Sequence, residues 1–183
     1  MLAQEGYWQL GLDRVVLMPA GQAPHKEIEE DPGGEERYLM CDLAAWGAEW
    51  LDASHAEIDR PGPSYTVETL RQLTADRPGD EIVLLLGADR ARSLPQWREP
   101  EEVLRLATLA VAQRDGEGEE AVRSSLAGLP GAERVKFFDM PTVEVSSTVV
   151  RERAGARRPF RFFVPERVAA RIEERGLYGR GGS

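Results

Sequence analysis

The run Ile82-Val83-Leu84-Leu85-Leu86 lies between Asp80-Glu81 and Gly87-Ala88-Asp89, and it constrains the fold more than any other stretch. Five consecutive apolar residues give a strand two apolar faces, so both must be covered; a central parallel strand with helices on each side satisfies that demand. The surrounding pattern agrees. Apolar runs bounded by Gly, Pro and Asp predict strands at Arg14–Met18, Ala53–Ile58 (the weakest), Glu81–Leu86, Thr108–Ala112 and Val135–Met140. Amphipathic stretches between them predict helices at Ala3–Leu10, Glu35–Leu51, Thr66–Asp76, Pro100–Leu106, Glu119–Leu126, Ser147–Ala154 and Pro165–Arg175. Alternation of this kind predicts an α/β fold with crossover helices. Gln22–Gly34 and Asp115–Gly118 read as polar loops, and the terminal Gly-Arg-Gly-Gly-Ser as a frayed tail.

Composition narrows the function classes. The 183 residues suit one domain, expected over 1–178 with a tail at 179–183. A net charge of −9, from 23 basic and 32 acidic side chains, argues against a nucleic-acid surface. No run approaches 18 apolar residues, so no membrane span is expected, and no secretory pattern follows Met1. The single cysteine, Cys41, leaves no disulfide framework and points to a reducing compartment, the cytoplasm. Arginine outnumbers lysine 21 to 2, which biases any anion site towards guanidinium. The motifs GxxxxGK[ST], GxGxxG, HExxH and CxxC are all absent, so P-loop, dehydrogenase and zinc readings have no support.

Five stretches carry candidate chemistry. Met18-Pro19-Ala20-Gly21-Gln22-Ala23-Pro24-His25-Lys26 follows the first strand, at the edge where open α/β sheets bind ligands. Lys26, with His25 beside it, can hold a phosphate there; a solvated polar loop is the plainer alternative. In Pro61-Gly62-Pro63-Ser64-Tyr65-Thr66-Val67-Glu68, Ser64 or Thr66 can cap a helix, whose free N–H groups also suit a carboxylate or phosphate. In Leu86-Gly87-Ala88-Asp89, Gly87 allows close backbone approach. Asp89 can accept from a ribose hydroxyl or neighbour a metal ion, or it can cap a short helix over Arg90–Leu94. Trp97, in Leu94-Pro95-Gln96-Trp97, can stack on a flat heteroaromatic ligand or anchor packing. The fifth stretch, Glu144-Val145-Ser146-Ser147-Thr148-Val149-Val150-Arg151, is the most informative. Ser147 and Thr148 share a helical face with Arg151, so hydroxyls, N–H groups and a guanidinium fork converge as a polyphosphate requires.

Taken in order, M-P-A-G-x-x-P-H-K, P-S-Y-T-V-E-T-L, L-G-A-D, L-P-x-W, L-A-x-L-A-V-A-x-R and V-S-S-T-x-V-R resemble the bacterial nicotinate-nucleotide adenylyltransferases, from Leu2 to Tyr178. The resemblance implies a Rossmann-like nucleotidyltransferase fold, a parallel sheet with helices on both faces. It implies transfer of the adenylyl group of ATP to nicotinate mononucleotide, with Mg²⁺, in NAD biosynthesis. It also assigns roles. Lys26 would lie near substrate phosphate, Thr66 near the nicotinate carboxylate, Trp97 on the nicotinate ring, Asp89 by the ribose and Arg114 on the mononucleotide. Gly87, Ser146, Ser147, Thr148 and Arg151 would bind ATP, with Arg151 the catalytic group, and no residue is expected to ligate a resident metal. A homo-oligomer is left open.

The family's Gly-Gly-Thr-Phe-Asp-Pro loop and HxGH pair do not occur in this sequence, whose two histidines are His25 and His55. The resemblance therefore places a first strand and its loop, on the order of 20 residues, before Met1. It implies weak turnover by the 183-residue chain, restored by the upstream segment. Two other readings fit the same residues: a nucleotide-binding protein without catalysis, and a related adenylyltransferase with another phosphorylated acceptor.

Overall fold

The computed structural model describes residues 1–22, 31–114, 118–143 and 145–179. The elements follow as α1 (Leu2–Leu10), β1 (Val15–Leu17), α2 (Gly34–Ala45), β2 (Leu51–Ala53), α3 (Ala56–Asp59), α4 (Thr66–Asp76), β3 (Val83–Gly87), α5 (Ala88–Arg92), α6 (Pro100–Leu106), β4 (Thr108–Gln113), α7 (Glu119–Leu126), β5 (Lys136–Asp139), α8 (Ser147–Gly155) and α9 (Glu166–Arg175). The described strands form two sheets, β1-β2 and the parallel β3-β4-β5. The chain divides into two compact units, Met1–Val15 with Tyr65–Thr142, and Val16–Ser64 with Val143–Ser183. No helix among the described residues is long and apolar enough to cross a membrane.

The first unit is built on the apolar run that dominates the sequence. Leu84 and Leu86 pack with Leu94, Leu104, Leu109, Val111 and Leu126 in one core. Val83 and Leu85 pack with Leu2, Leu10, Ala110 and Phe138 in the other. Both faces of β3 are therefore covered, as its two apolar faces require. The middle strand of the three, however, is β4, not the run at 82–86. Leu109, Ala110, Val111 and Ala112 are all buried, whereas all five residues of β3 keep some exposure. Alternating membership of the two cores explains why Thr108-Leu109-Ala110-Val111-Ala112 reads as continuously apolar. Each fully buried leucine here contributes roughly 1.5–3 kcal/mol of transfer free energy.

The second unit packs α2 against α9, with Met40, Leu43 and Ala44 meeting Val168, Ala169 and Ile172, and with Val150 of α8 in the same core. Arg171 donates to both oxygens of Glu36 at 2.6 and 3.0 Å, a bidentate pair joining the two helices. That guanidinium holds the Glu36 carboxyl below its usual range, against the opposing effect of burial.

Two expectations fail here. The helix expected over Glu35–Leu51 ends at Ala45, where Trp46 leaves helical geometry and Gly47 takes φ 82°. The strand expected at Ala53–Ile58 lies instead at Leu51–Ala53, and Ala56–Asp59 turns into a short helix. His55 fixes that turn. Its Nδ1 lies 2.8 Å from Asp59 and its Nε2 3.0 Å from Glu35, and Tyr38 packs edge-on at 4.6 Å.

Glu35, then Asp59, raise the pKa of His55 above its ordinary value. A raised folded pKa means the contribution is complete below the unfolded value near 6.5 and is lost as pH climbs through the folded one. Wild-type Tm should therefore fall slightly from pH 6 to pH 8, and His55→Gln should flatten that slope; equal slopes in thermal melts would refute the pairing.

Candidate active site

The sequence suggests that Ser64 or Thr66 caps α4, but neither does. The N-cap is Tyr65, and no side chain accepts from the helix's first N–H groups. Ser64 instead serves the Met18-Pro19-Ala20-Gly21 turn. Its Oγ accepts from the Gly21 N–H at 2.9 Å, and its own N–H donates to the Gln22 carbonyl at 2.8 Å. Arg37 of α2 closes the same turn from the other side, donating to the carbonyls of Ala20 and, at 3.1 Å, Gly21. Two motifs 43 residues apart are thus hydrogen-bonded into one structure. The glycine is required by space. A Cβ on Gly21 would lie 2.3 Å from the carbonyl oxygen of Glu57, a backbone atom that cannot swing aside. Gly21→Ala should cost about 1–3 kcal/mol, as overpacking does; urea denaturation reads the loss, and an unchanged midpoint would show that the turn is loose. Lys26 and His25, further along this stretch, lie outside the described residues.

Thr66 opens α4, an 11-residue helix whose first turn is uncapped by side chains. Such an N-terminus carries unsatisfied N–H groups and the positive end of the helix dipole. Trp97 is tied to the same place through its neighbour. Arg98 donates to Glu68 of α4 at 2.8 Å and lies 4.7 Å over the Tyr65 ring. Trp97 itself is half-buried, packed against the main core with Tyr65, and its Nε1 donates to Ser93 Oγ at 3.1 Å. Packing anchor and partly open ring are both true of it. Thr66 and Trp97 are therefore brought to one locality by α4 and the segment before α6.

Gly87 and Asp89 stand where β3 passes into α5. Gly87 is the N-cap at φ −76°, a value any residue adopts, and a Cβ there would meet no described atom within 4 Å. None of the described residues demands a glycine there. Asp89 does not cap a helix over 90–94; it sits in the first turn of α5 and pairs with Arg92 at 2.5 Å while highly exposed. Arg114 follows β4 directly and is exposed. Since Gly87 pairs with Ala112, both residues occupy the carboxyl edge of adjacent strands.

The Ser146–Arg151 stretch behaves as its spacing predicts. Ser146 caps α8, its Oγ accepting from the Val149 N–H at 3.2 Å. Arg151 Nη2 donates to Thr148 Oγ1 at 3.3 Å, which places guanidinium and hydroxyl on one face at the helix start. Ser147 and Thr148 are exposed, and Arg151 is half-buried. Glu144 lies outside the described residues. Capping accounts for one of the three hydroxyls, leaving Ser147, Thr148 and Arg151 available to an anion.

Arg37 and Arg98 are the residues that spacing alone misses. Each acts on a partner distant in sequence, and nothing local distinguishes them from other surface arginines. Cys41 is half-buried, and burial pushes its thiol up, so it is not a reactive thiolate. Among the described residues no group of three or more His, Cys, Asp or Glu side chains is placed to hold a metal ion.

Comparison with known proteins follows the same outline. A family profile described as cytidylyltransferase-like matches residues 2–153. A protein of Synechococcus sp. (strain JA-3-3Ab) named "Probable nicotinate-nucleotide adenylyltransferase" is 38% identical over 180 residues, 97% of this chain and 86% of that protein. One of the same name from Roseiflexus sp. (strain RS-1) is 40% identical over 179 residues, 97% of this chain and 88% of that protein. In fold, the chain is similar to Plasmodium falciparum nicotinic acid mononucleotide adenylyltransferase, solved in complex with NaAD. The TM-score is 0.73 at 12% identity, over 97% of this chain and 87% of that one. The chain belongs to the cytidylyltransferase-like family and, within it, to the nicotinate-nucleotide adenylyltransferases.

Proposed function

We propose that this chain transfers the adenylyl group of ATP to nicotinate mononucleotide, giving nicotinate adenine dinucleotide and pyrophosphate. The carrying observation is the near-complete match to relatives of that name, 38–40% identical over 97% of the chain. In the reaction a mononucleotide phosphate oxygen attacks the α-phosphorus of ATP, one P–O bond forms, and the bond to the bridging oxygen breaks as pyrophosphate leaves. No side chain need be a nucleophile, so the protein's work is alignment and charge stabilisation.

The roles are those the resemblance implies, and the positions of the described residues support them. Ser146, Ser147 and Thr148 border the triphosphate, and Arg151 spans charge that grows on the transferring group. Gly87 lets the nucleotide approach the strand end. The α4 start at Thr66 receives the nicotinate carboxylate, Trp97 stacks on the ring, Asp89 accepts from a ribose hydroxyl, and Arg114 and Lys26 hold the mononucleotide. Asp89 must release Arg92 or share it to do so; the pair is exposed and costs little to break. Magnesium enters with ATP, bound chiefly by its phosphates as is usual for this ion, which suits a set of residues rich in arginine and hydroxyl and poor in clustered carboxylates. The half-buried, unpaired Cys41 fits a cytoplasmic enzyme.

A valine at Gly87 separates these roles from folding. Gly87→Val should leave Tm within a degree or two, because no described atom opposes the new side chain, yet weaken ATP binding at least tenfold in calorimetry. Unchanged affinity would remove Gly87 from the nucleotide site. The reading as a whole is tested by acceptor competition. With ATP and Mg²⁺ present, nicotinate mononucleotide should be preferred over the nicotinamide mononucleotide and over phosphopantetheine; preference for either rival would overturn the substrate assignment.

A further inference from the structure

The last turn of α8 and the segment after it carry Arg153, Arg157, Arg158 and Arg161 within nine residues, in a molecule of net charge −9. All four line one groove of about 1000 Å³, together with Phe162 and with Glu173 as its bordering carboxylate. Ser146, Ser147, Thr148 and Arg151 are not among its lining residues, so it is distinct from the helix start assigned to ATP. Two of the arginines are occupied. Arg161 binds the Glu166 carboxylate, and Arg153 donates to the Pro159 carbonyl at 2.6 Å and lies over Phe163 at 5.0 Å. Arg157 and Arg158 make no ion pair with any described residue.

A different cavity holds its arginines in another way. That one, about 560 Å³, is also lined by arginines, but Arg105 is held by both oxygens of Glu102 and Arg134 by the Leu104 carbonyl, with Glu99, Glu101 and Glu133 alongside. Its charge is matched internally. In the groove at the end of α8, two adjacent guanidinium groups, Arg157 and Arg158, are unmatched among the described residues. Arg157 holds φ 53° because it closes α8: its N–H donates to the Ala154 carbonyl at 3.0 Å and the Arg158 N–H to the Arg153 carbonyl at 2.8 Å, a left-handed helix ending that fixes the backbone of both groove arginines. Phe162, on the same groove, is 96% exposed.

We propose that this groove is a second anion site, taking an organic polyphosphate of nucleotide size, with Arg157 and Arg158 gripping phosphate and Phe162 covering the apolar part. Adjacent guanidinium forks suit closely spaced phosphate oxygens better than a single carboxylate. The groove's size falls at the upper end of small-molecule sites, and its concavity favours a soluble ligand over a flat lipid surface. The inference does not depend on the substrate assignment above.

Hydrogen exchange and calorimetry test it, with inorganic tripolyphosphate and ADP as probes. In Arg151→Ala, which silences the ATP-side guanidinium, both probes should still slow exchange across residues 155–163. The double variant R157G/R158Q should abolish that protection and raise Kd at least tenfold. It should fold, because glycine accepts φ 53° at position 157, and its Tm should not fall. Phe162→Ala should weaken ADP several-fold more than tripolyphosphate. No protection in the wild-type chain, protection that survives R157G/R158Q, or protection lost with Arg151 alone would each overturn the proposal. So would binding to phosphatidylglycerol vesicles with no response to either soluble probe.

Discussion

Arg151→Ala is expected to lower kcat/KM for adenylyl transfer by about 100–1000-fold, or roughly 2.7–4 kcal/mol of transition-state stabilisation, the usual cost of removing one preorganised donor. The expectation rests on where α8 holds this side chain. The Ser146 cap fixes the helix start, and the bond from Arg151 to Thr148 Oγ1 aims the guanidinium along the face that carries the free hydroxyls. Arg151 has no carboxylate partner among the described residues, so folding should be nearly unaffected and Tm should move by little. Arg151→Lys keeps the charge but not the planar fork, and should fall between wild type and alanine. A loss confined to KM would mean that Arg151 holds ground-state ATP only. A loss of the stated size in kcat as well places it on the transferring phosphate.

Trp97→Ala should be the most damaging single change on the acceptor side, with two effects that can be separated. The ring packs against the core beside Tyr65 and satisfies its indole N–H through Ser93, so truncation should cost about 2–4 kcal/mol, somewhat below a fully buried tryptophan because the ring is half-buried. Losing the stacking face should also weaken nicotinate mononucleotide by about 3–10-fold, the equivalent of 0.5–1.5 kcal/mol. Trp97→Phe keeps a ring but drops the Ser93 bond. It should recover most of the binding while Tm stays depressed by roughly 1 kcal/mol of lost hydrogen bonding. If the phenylalanine variant binds as poorly as alanine, the indole acts through something other than its face.

Much of the fold was legible where local signals were strong. Thr66–Asp76, Pro100–Leu106 and Glu119–Leu126 form with the bounds their periodicity predicts. Pro100 at a helix start and Gly118 before another supply clear boundaries. The stretch from Glu35 to Leu51 was not legible, because its break at Trp46 and Gly47 lies inside an otherwise helical pattern and the strand that follows has only three residues. The site divides the same way. Ser146, Thr148 and Arg151 act within one turn of one helix, so spacing alone brings them together. Ser64 looked like a cap because the cap is the local option for a serine at a helix start, whereas its actual partner is Gly21, 43 positions away. Arg37 and Arg98 were invisible for the same reason: each is defined by a contact that only the tertiary fold creates.

Net charge takes on a different meaning once the arginines are placed. A total of −9 excludes a broad basic surface, yet Arg151, Arg157 and Arg158 show cationic groups concentrated in one segment of the chain. Anionic substrates respond to the local field, not to the total.

The most direct test of the account is product identification with ATP labelled at the α-phosphate. Purified protein is incubated with labelled ATP, Mg²⁺ and nicotinate mononucleotide. The account predicts that label appears in nicotinate adenine dinucleotide, in equal amount to the pyrophosphate released. Label that remains in ATP, or that passes to another phosphorylated acceptor in preference to nicotinate mononucleotide, would contradict it.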